Sequence, residues 1–290
     1  VIDVLQLVKD GKGRFDWQYI VSEIGDQKLY IAVMRDAMQF DGMPALDWHR
    51  NPADDTEDGA LFDGVRLPAT PLELQQIADM VGGMLLTPRV IDLIWLQAGI
   101  KFDAIVNSGP PDYDIVADMN ITDIHQLIEK AIHDRGGDGG SEIISCVGKY
   151  WCLINGLGTD ADKKMYGTDT ACNYGWCSDA GSGPGLTPGV KCWQRPGYKH
   201  NKDHIDPSQT IRLMFSEALL VSADGLEQYV TLQDVAADPE LAPHIAFDGK
   251  PLTYLRQSNV PKMASNGTVV LPPVTIEGEI DIGPKVEDVS

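Results

Sequence analysis

The feature that most constrains this chain is a change of hydrophobic period near Gly140. Between Pro71 and Arg135 apolar residues recur at three- and four-residue intervals, as in helices with one buried face. Beyond Gly140 the apolar runs are short and are separated by Gly- and Asp-rich turns. Segregation of the two periods predicts an α+β fold in which a helical hairpin and a third helix pack on a mostly antiparallel, β-rich central and C-terminal half. The helical part covers about 64–136 and the β-rich part about 141–256, within one domain over 1–260. Residues 261–290, spaced by prolines, read as an extended β arm or edge strand.

Local signals place the elements. Val4–Val8 and Leu29–Met34 read as strands. Pro71 opens a first helix that ends at Gly82-Gly83. Thr87-Pro88 is an N-cap and first-turn pair for a second helix, which Gly99 stops. A third helix starts near Thr122 and ends at Gly136-Gly137, with His125 and His133 on its polar or boundary faces. Ile143–Val147, Lys149–Ile154, Gly189–Gln194 and Thr210–Phe215 are short strands. Ala218–Ser222 and Gln228–Leu232 form a hairpin about Ala223-Asp224-Gly225, and a short helix follows at Leu232–Ala237.

Charge and composition limit the function. The 43 acidic residues against 23 Lys and Arg leave a net charge of −20, which argues against nucleic acid and anionic membrane surfaces as partners. No apolar run approaches the length of a membrane-spanning helix, so no membrane insertion is expected. The chain starts at Val1 with no leader, which is read as a leader removed or a chain trimmed; removal predicts an extracytoplasmic location. Cys146, Cys152, Cys172, Cys177 and Cys192 all lie in the central stretch, where at least one disulfide is expected. Their spacings match neither a zinc knuckle nor a thioredoxin motif.

Chemistry-bearing residues concentrate between Cys146 and Arg212. His200 and His204 would share a face if helical, and Asp206 would add an oxygen ligand for a metal. Asn201, Asp203 and Pro207 instead favour a loop leading into a strand, so a metal there is not favoured and no cofactor is predicted. Gly181-Ser182-Gly183-Pro184-Gly185 lacks the helix and Lys of a phosphate loop. Asn51–Asp63 is acidic but lacks the alternating ligand spacing of an EF-hand. Tyr150, Trp151, Tyr174, Trp176, Trp193 and Tyr198 either pack a core or wall a ligand groove. Lys149, Lys191, Arg195, Lys199, Lys202 and Arg212 make the stretch locally basic, which suits an anionic group such as a carboxylate.

Several segments carry a resemblance: Asp63-Gly64-Val65-Arg66-Leu67-Pro68, Gln75–Asp79, Leu86-Thr87-Pro88, Tyr174-Gly175-Trp176, and His200 followed by Asp206-x-Ser208 and Arg212-Leu213. Together they resemble a group of uncharacterised bacterial secreted proteins with Tyr-Gly-Trp-His followed by His and Asp-Tyr-Ser. The resemblance implies secretion and brings no established activity. Cys177 stands where that group has His, and Pro207 where it has Tyr, which makes Cys177 a candidate thiolate nucleophile or a disulfide partner of Cys172.

The expectation from these residues is a secreted or surface-located, hydrolase-like protein acting on a cell-envelope or other extracellular polymer. His200 is its acid/base, with His204 as a second candidate. Asp206 orients His200, and Ser208 supports the loop or an oxyanion. Lys149 and Arg212 hold a carboxylate, and Tyr174 and Trp176 wall the groove. The alternative is a non-enzymatic structural or adhesive component of a cell surface, virion or filament that associates with itself.

Overall fold

A computed structural model of the chain describes residues 1–47, 49–53, 60–105, 120–137, 142–145, 147–155, 170–181, 183–257, 262–266, 271, 274–276 and 279–282. Residues 54–59 of the acidic stretch, Cys146 and Ser182 lie outside these residues, as does much of the expected C-terminal arm. The order is α1 (Val4–Lys9), β1 (Gly13–Arg14), β2 (Trp17–Ile24), β3 (Gln27–Met34), β4 (Gln39–Phe40), β5 (Met43–Pro44), β6 (Leu61–Phe62), β7 (Val65–Arg66), α2 (Pro71–Met80) and β8 (Gly83–Leu85). It continues with α3 (Pro88–Gln97), α4 (Ile121–His133), β9 (Lys149–Cys152), β10 (Thr170–Cys177), β11 (Gly183–Pro184), β12 (Lys191–Asn201), β13 (Leu213–Val221), β14 (Glu227–Thr231), α5 (Leu232–Ala237), β15 (Val274–Ile276) and β16 (Glu279–Ile282). This is a mixed α+β fold with antiparallel sheets.

Two sheets dominate. The first has the order β14-β13-β3-β2, and β8 pairs with the start of β13 where β14 does not reach. Every residue of β3 from Leu29 to Met34 is buried, as expected of a central strand. The second sheet runs β11-β12-β10-β9. Helix α3 joins the two. It packs against β10 and also sends Gln97 to the free edge of β2, where the amide accepts from Val21 N at 2.8 Å and donates to Val21 O at 2.7 Å. Among the described residues a main core from Val4 to Leu271 draws on helices and both sheets, with a small second cluster at Tyr30 and Leu219.

Several elements differ from expectation. Val4–Val8 is the body of α1 and not a strand, because Asp3 caps it through Gln6 N, and Val4 and Val8 are buried one helical turn apart. The two helices after Pro71 do not form a direct hairpin, since β8 lies between them and is drawn into the first sheet by β13. Thr87 is the expected cap of α3, accepting from Val90 N, and α2 has a capping box of Thr70 and Glu73 just ahead of its expected start at Pro71. Among the described residues of Ile143–Val147 there is no named strand, and Ile144 makes a bridge to Ile100. His125 is buried beside Arg66, whereas His133 is exposed. The hairpin β2–β3 turns at Gly25-Asp26, with Gly25 at φ 58°, a signal the hydrophobic pattern had not exposed.

Beyond residue 261, Asn266 donates to Met80 O at 2.8 Å and to Val8 O at 3.0 Å, which ties the start of the arm to α1 and α2. β15 and β16 pair with each other. Among the described residues no helix is long and apolar enough to cross a membrane.

Candidate functional site

The site grows from strand alternation in β9. Lys149 and Trp151 face one side of the second sheet, and Tyr150 and Cys152 the other. In register on β10, Gly175 lies opposite Lys149 and Asn173 opposite Trp151. On the far side of β10, β12 brings His200 opposite Ala171. The chain then turns over this face. His204 N donates to Asn201 O at 3.2 Å, and Asp206-Pro207-Ser208-Gln209 closes a β-turn in which Gln209 N donates to Asp206 O at 2.8 Å. Proline at the second position presets that turn, which accounts for Pro207 locally.

The segment after the turn is pressed onto β9. Lys149 N donates to Ser208 O at 2.9 Å, and Lys149 pairs with Gln209 in a parallel bridge. A Cβ on Gly148 would stand 2.6 Å from Ser208 O, so only glycine permits this approach. Above it, Gly175 adopts φ 141° and Trp176 φ 50°, a kink in β10 that leaves Trp176 partly exposed with Lys149 Nζ 5.3 Å from its ring centre.

The resulting cluster is compact. Lys149 Nζ donates to Asp206 Oδ2 at 2.8 Å, while Ser208 donates to Asp206 Oδ1 from its backbone N at 2.9 Å and from its hydroxyl. Burial works against the Asp206 charge, but Lys149 and these hydrogen bonds outweigh it and hold the carboxyl below its ordinary range. The rings of His200 and His204 stack at 3.9 Å with planes 13° apart, and Trp151 meets both edge-on at 6.1 and 6.3 Å. Burial lowers the His204 pKa; the Asp206 carboxylate opposes this and Lys149 adds to it. Among the described residues His204 Nε2 is buried with no hydrogen-bond partner. The same holds for Asn173 Nδ2, both amide atoms of Gln209 and Thr210 Oγ1.

Imidazole lone pairs lie in the ring plane, so two stacked, nearly parallel rings do not aim at one ion at the roughly 2.0–2.1 Å that zinc requires. His200 and His204 therefore do not chelate together. Among the described residues no group of three His, Cys, Asp or Glu is placed to hold a metal.

Two expected substrate contacts are corrected. Arg212 is 0% exposed and donates to Met34 O at 2.8 Å, Ile144 O at 2.7 Å and Arg35 O at 2.7 Å, with Tyr150 OH at 3.3 Å. It is an interior latch between the two sheets and does not reach a ligand carboxylate. Tyr174 is also 0% exposed; its hydroxyl donates to Asp92 Oδ1 at 2.5 Å, on α3, so it is no groove wall. Two further roles change: Asp206 serves Lys149 and Ser208, and Lys149 is committed to Asp206, while Ser208 holds the loop through Asp206.

A nucleophilic Cys177 is not supported either. Its thiol is buried 3.9 Å from the Asp92 carboxylate, and a thiolate needs a cation there, not an anion. Among the described residues Cys152, Cys172, Cys177 and Cys192 form no disulfide with one another.

Asn173, Gln209 and Asp92 were missed as polar participants. The alternation of Lys149–Cys152 already pairs Lys149 with Trp151. For Asp92 the signal is a carboxylate embedded in the apolar stripe of α3, where it also accepts from Thr187 N at 2.7 Å. No protein-family model, curated protein or solved structure matches the chain.

Proposed function

We propose that the chain is a hydrolase-like protein acting on a glycan or peptide polymer outside the cell, with the proton acceptor at His204 and not His200. The observation that carries this reading is His204 Nε2, a buried nitrogen with no hydrogen-bond partner among the described residues, on an imidazole whose pKa burial lowers and which lies close enough to Asp206 and Lys149 to feel both charges. A water held against Nε2 would pass its proton to the ring while its oxygen attacks the scissile carbon. Asp206, ionised and fixed by Lys149, would stabilise the imidazolium until the proton moves on to the leaving group. His200 holds the His204 ring by stacking, and the partly exposed Trp176 offers an aromatic platform to a sugar or side chain.

A second reading has its own observation. The carboxylate of Asp206 is engaged on both oxygens by Lys149 and Ser208, as in a brace that pins residues 202–209 to β9. Under that reading the protein is a structural or adhesive component that assembles with itself.

One experiment separates them. Parent and His204→Gln proteins are screened for product release from wall fragments, polysaccharides and polyesters, with thermal unfolding and sedimentation run in parallel. The hydrolytic reading expects release by the parent and a loss of roughly 10²-fold or more in the variant at unchanged melting temperature. A parent inactive across the screen that sediments as long assemblies overturns it in favour of the second reading.

A further inference from the structure

We infer that Cys152–Cys172 and Cys177–Cys192 are two cross-strand oxidation sites that close as disulfides and staple β10 to both of its neighbours. The inference rests on strand register and is independent of the hydrolytic reading. On β10, Cys172 lies directly opposite Cys152 of β9, and Cys177 directly opposite Cys192 of β12. All four sulfurs are buried. Directly paired residues on antiparallel strands have Cα atoms about 4.5–5.5 Å apart, inside the range a disulfide spans.

Among these four described cysteines the other pairings fail on distance. Cys172 and Cys177 are five residues apart along one strand, roughly 16 Å, far beyond the approximately 7 Å limit for bridging. Cys152 and Cys192 are on strands separated by β10, about 10 Å across, and offset along it as well. Cys152 with Cys177, and Cys172 with Cys192, carry the same five-residue offset on adjacent strands. Cys172 therefore pairs with Cys152 and not with Cys177.

The chemistry balances with oxidised glutathione as the oxidant. The thiolate of one cysteine attacks its disulfide, releasing one reduced glutathione and leaving a mixed disulfide on the protein. The second cysteine displaces the other glutathione. Each closure removes two hydrogens from the protein and converts one oxidised glutathione to two reduced molecules. Burial leaves the folded thiols inaccessible, so closure belongs to folding, when the strands come into register with their sulfurs still exposed.

The test is peptide mapping by mass spectrometry, with alkylation but no reduction, after refolding the full chain in a glutathione redox couple. The same map is made on protein secreted into an oxidising medium, which covers the case in which refolding fails. Expected are the cross-linked peptides 152–172 and 177–192, with a melting temperature raised by roughly 5–10 °C over the reduced protein. In Cys152→Ser, Cys172 becomes alkylatable while 177–192 persists. Four alkylatable thiols in both samples, a 172–177 link, or recruitment of Cys172 by Cys177 in the variant would each overturn the inference.

Discussion

Replacing Arg212 by alanine tests whether this residue belongs to the interior or to the site. Its guanidinium is the donor for the carbonyls of the neighbouring residues Met34 and Arg35 and of Ile144, so it ties together two separate stretches of backbone. Each carbonyl left without its ionic donor costs about 1–2 kcal/mol, and the hole left by the side chain adds about 1–2 kcal/mol. Asp36, whose carboxyl is held low by Arg66 and also by Arg212 against the effect of burial, loses a cation. Removing a desolvated charge returns part of this, so the net expected loss is about 3–5 kcal/mol. That is a large share of the roughly 5–15 kcal/mol by which domains are stable. Arg212→Lys keeps the charge but not the planar fork and is expected to lose about 2 kcal/mol. Urea unfolding followed by tryptophan fluorescence reads both, as a lower midpoint at an unchanged slope. A loss below about 1 kcal/mol for the alanine variant would refute the latch and return Arg212 to the ligand-binding role that spacing suggested.

Further outcomes follow from the same geometry. Gly175→Ala places a Cβ 3.0 Å from the Lys149 Cα at φ 141°, and a destabilisation of about 1–3 kcal/mol with altered Trp176 fluorescence is expected in a denaturant titration. Tyr174→Phe removes a donor from the buried Asp92 carboxylate and should cost about 1–3 kcal/mol by the same method; a neutral result would show Asp92 satisfied without it. Burial lowers the pKa values of His125, His204 and His244 in the folded state. Below about pH 6.5 the unfolded chain therefore binds protons that the native protein does not, and unfolding free energy should fall from pH 7 to pH 5. Asp206 has the opposite charge type and a lowered folded pKa, so its contribution is present above its unfolded value near 3.9 and is lost as pH falls through the folded one. Asp206→Asn should flatten the stability profile below pH 4.5 in acid titrations monitored by circular dichroism.

Local chemistry determined much of the secondary structure. Thr87-Pro88, the box of Thr70 with Glu73, the Gly136-Gly137 stop and the Ala223-Asp224-Gly225 turn each act within a few residues, so the sequence specifies them without knowledge of partners. Concentration of reactive side chains between Lys149 and Ser208 was legible for the same reason, and so was the loop character of residues 202–209, because Asp203 and Pro207 disfavour helix. What each of those side chains does was decided by tertiary structure. Lys149 and Arg212 are both cations in a basic stretch, yet one meets Asp206 from a parallel bridge and the other is swallowed between sheets by three carbonyls. Val4–Val8 follows a strand pattern only until its neighbours show which residues are buried. Cysteine partners depend on register between strands that are about 15 to 20 residues apart in the chain, and His204 acquires its lowered pKa from groups that only the fold places around it. Propensity and capping are near-neighbour effects and travel with the sequence; burial, register and electric field are properties of what surrounds a residue, and those exist only once the chain has packed.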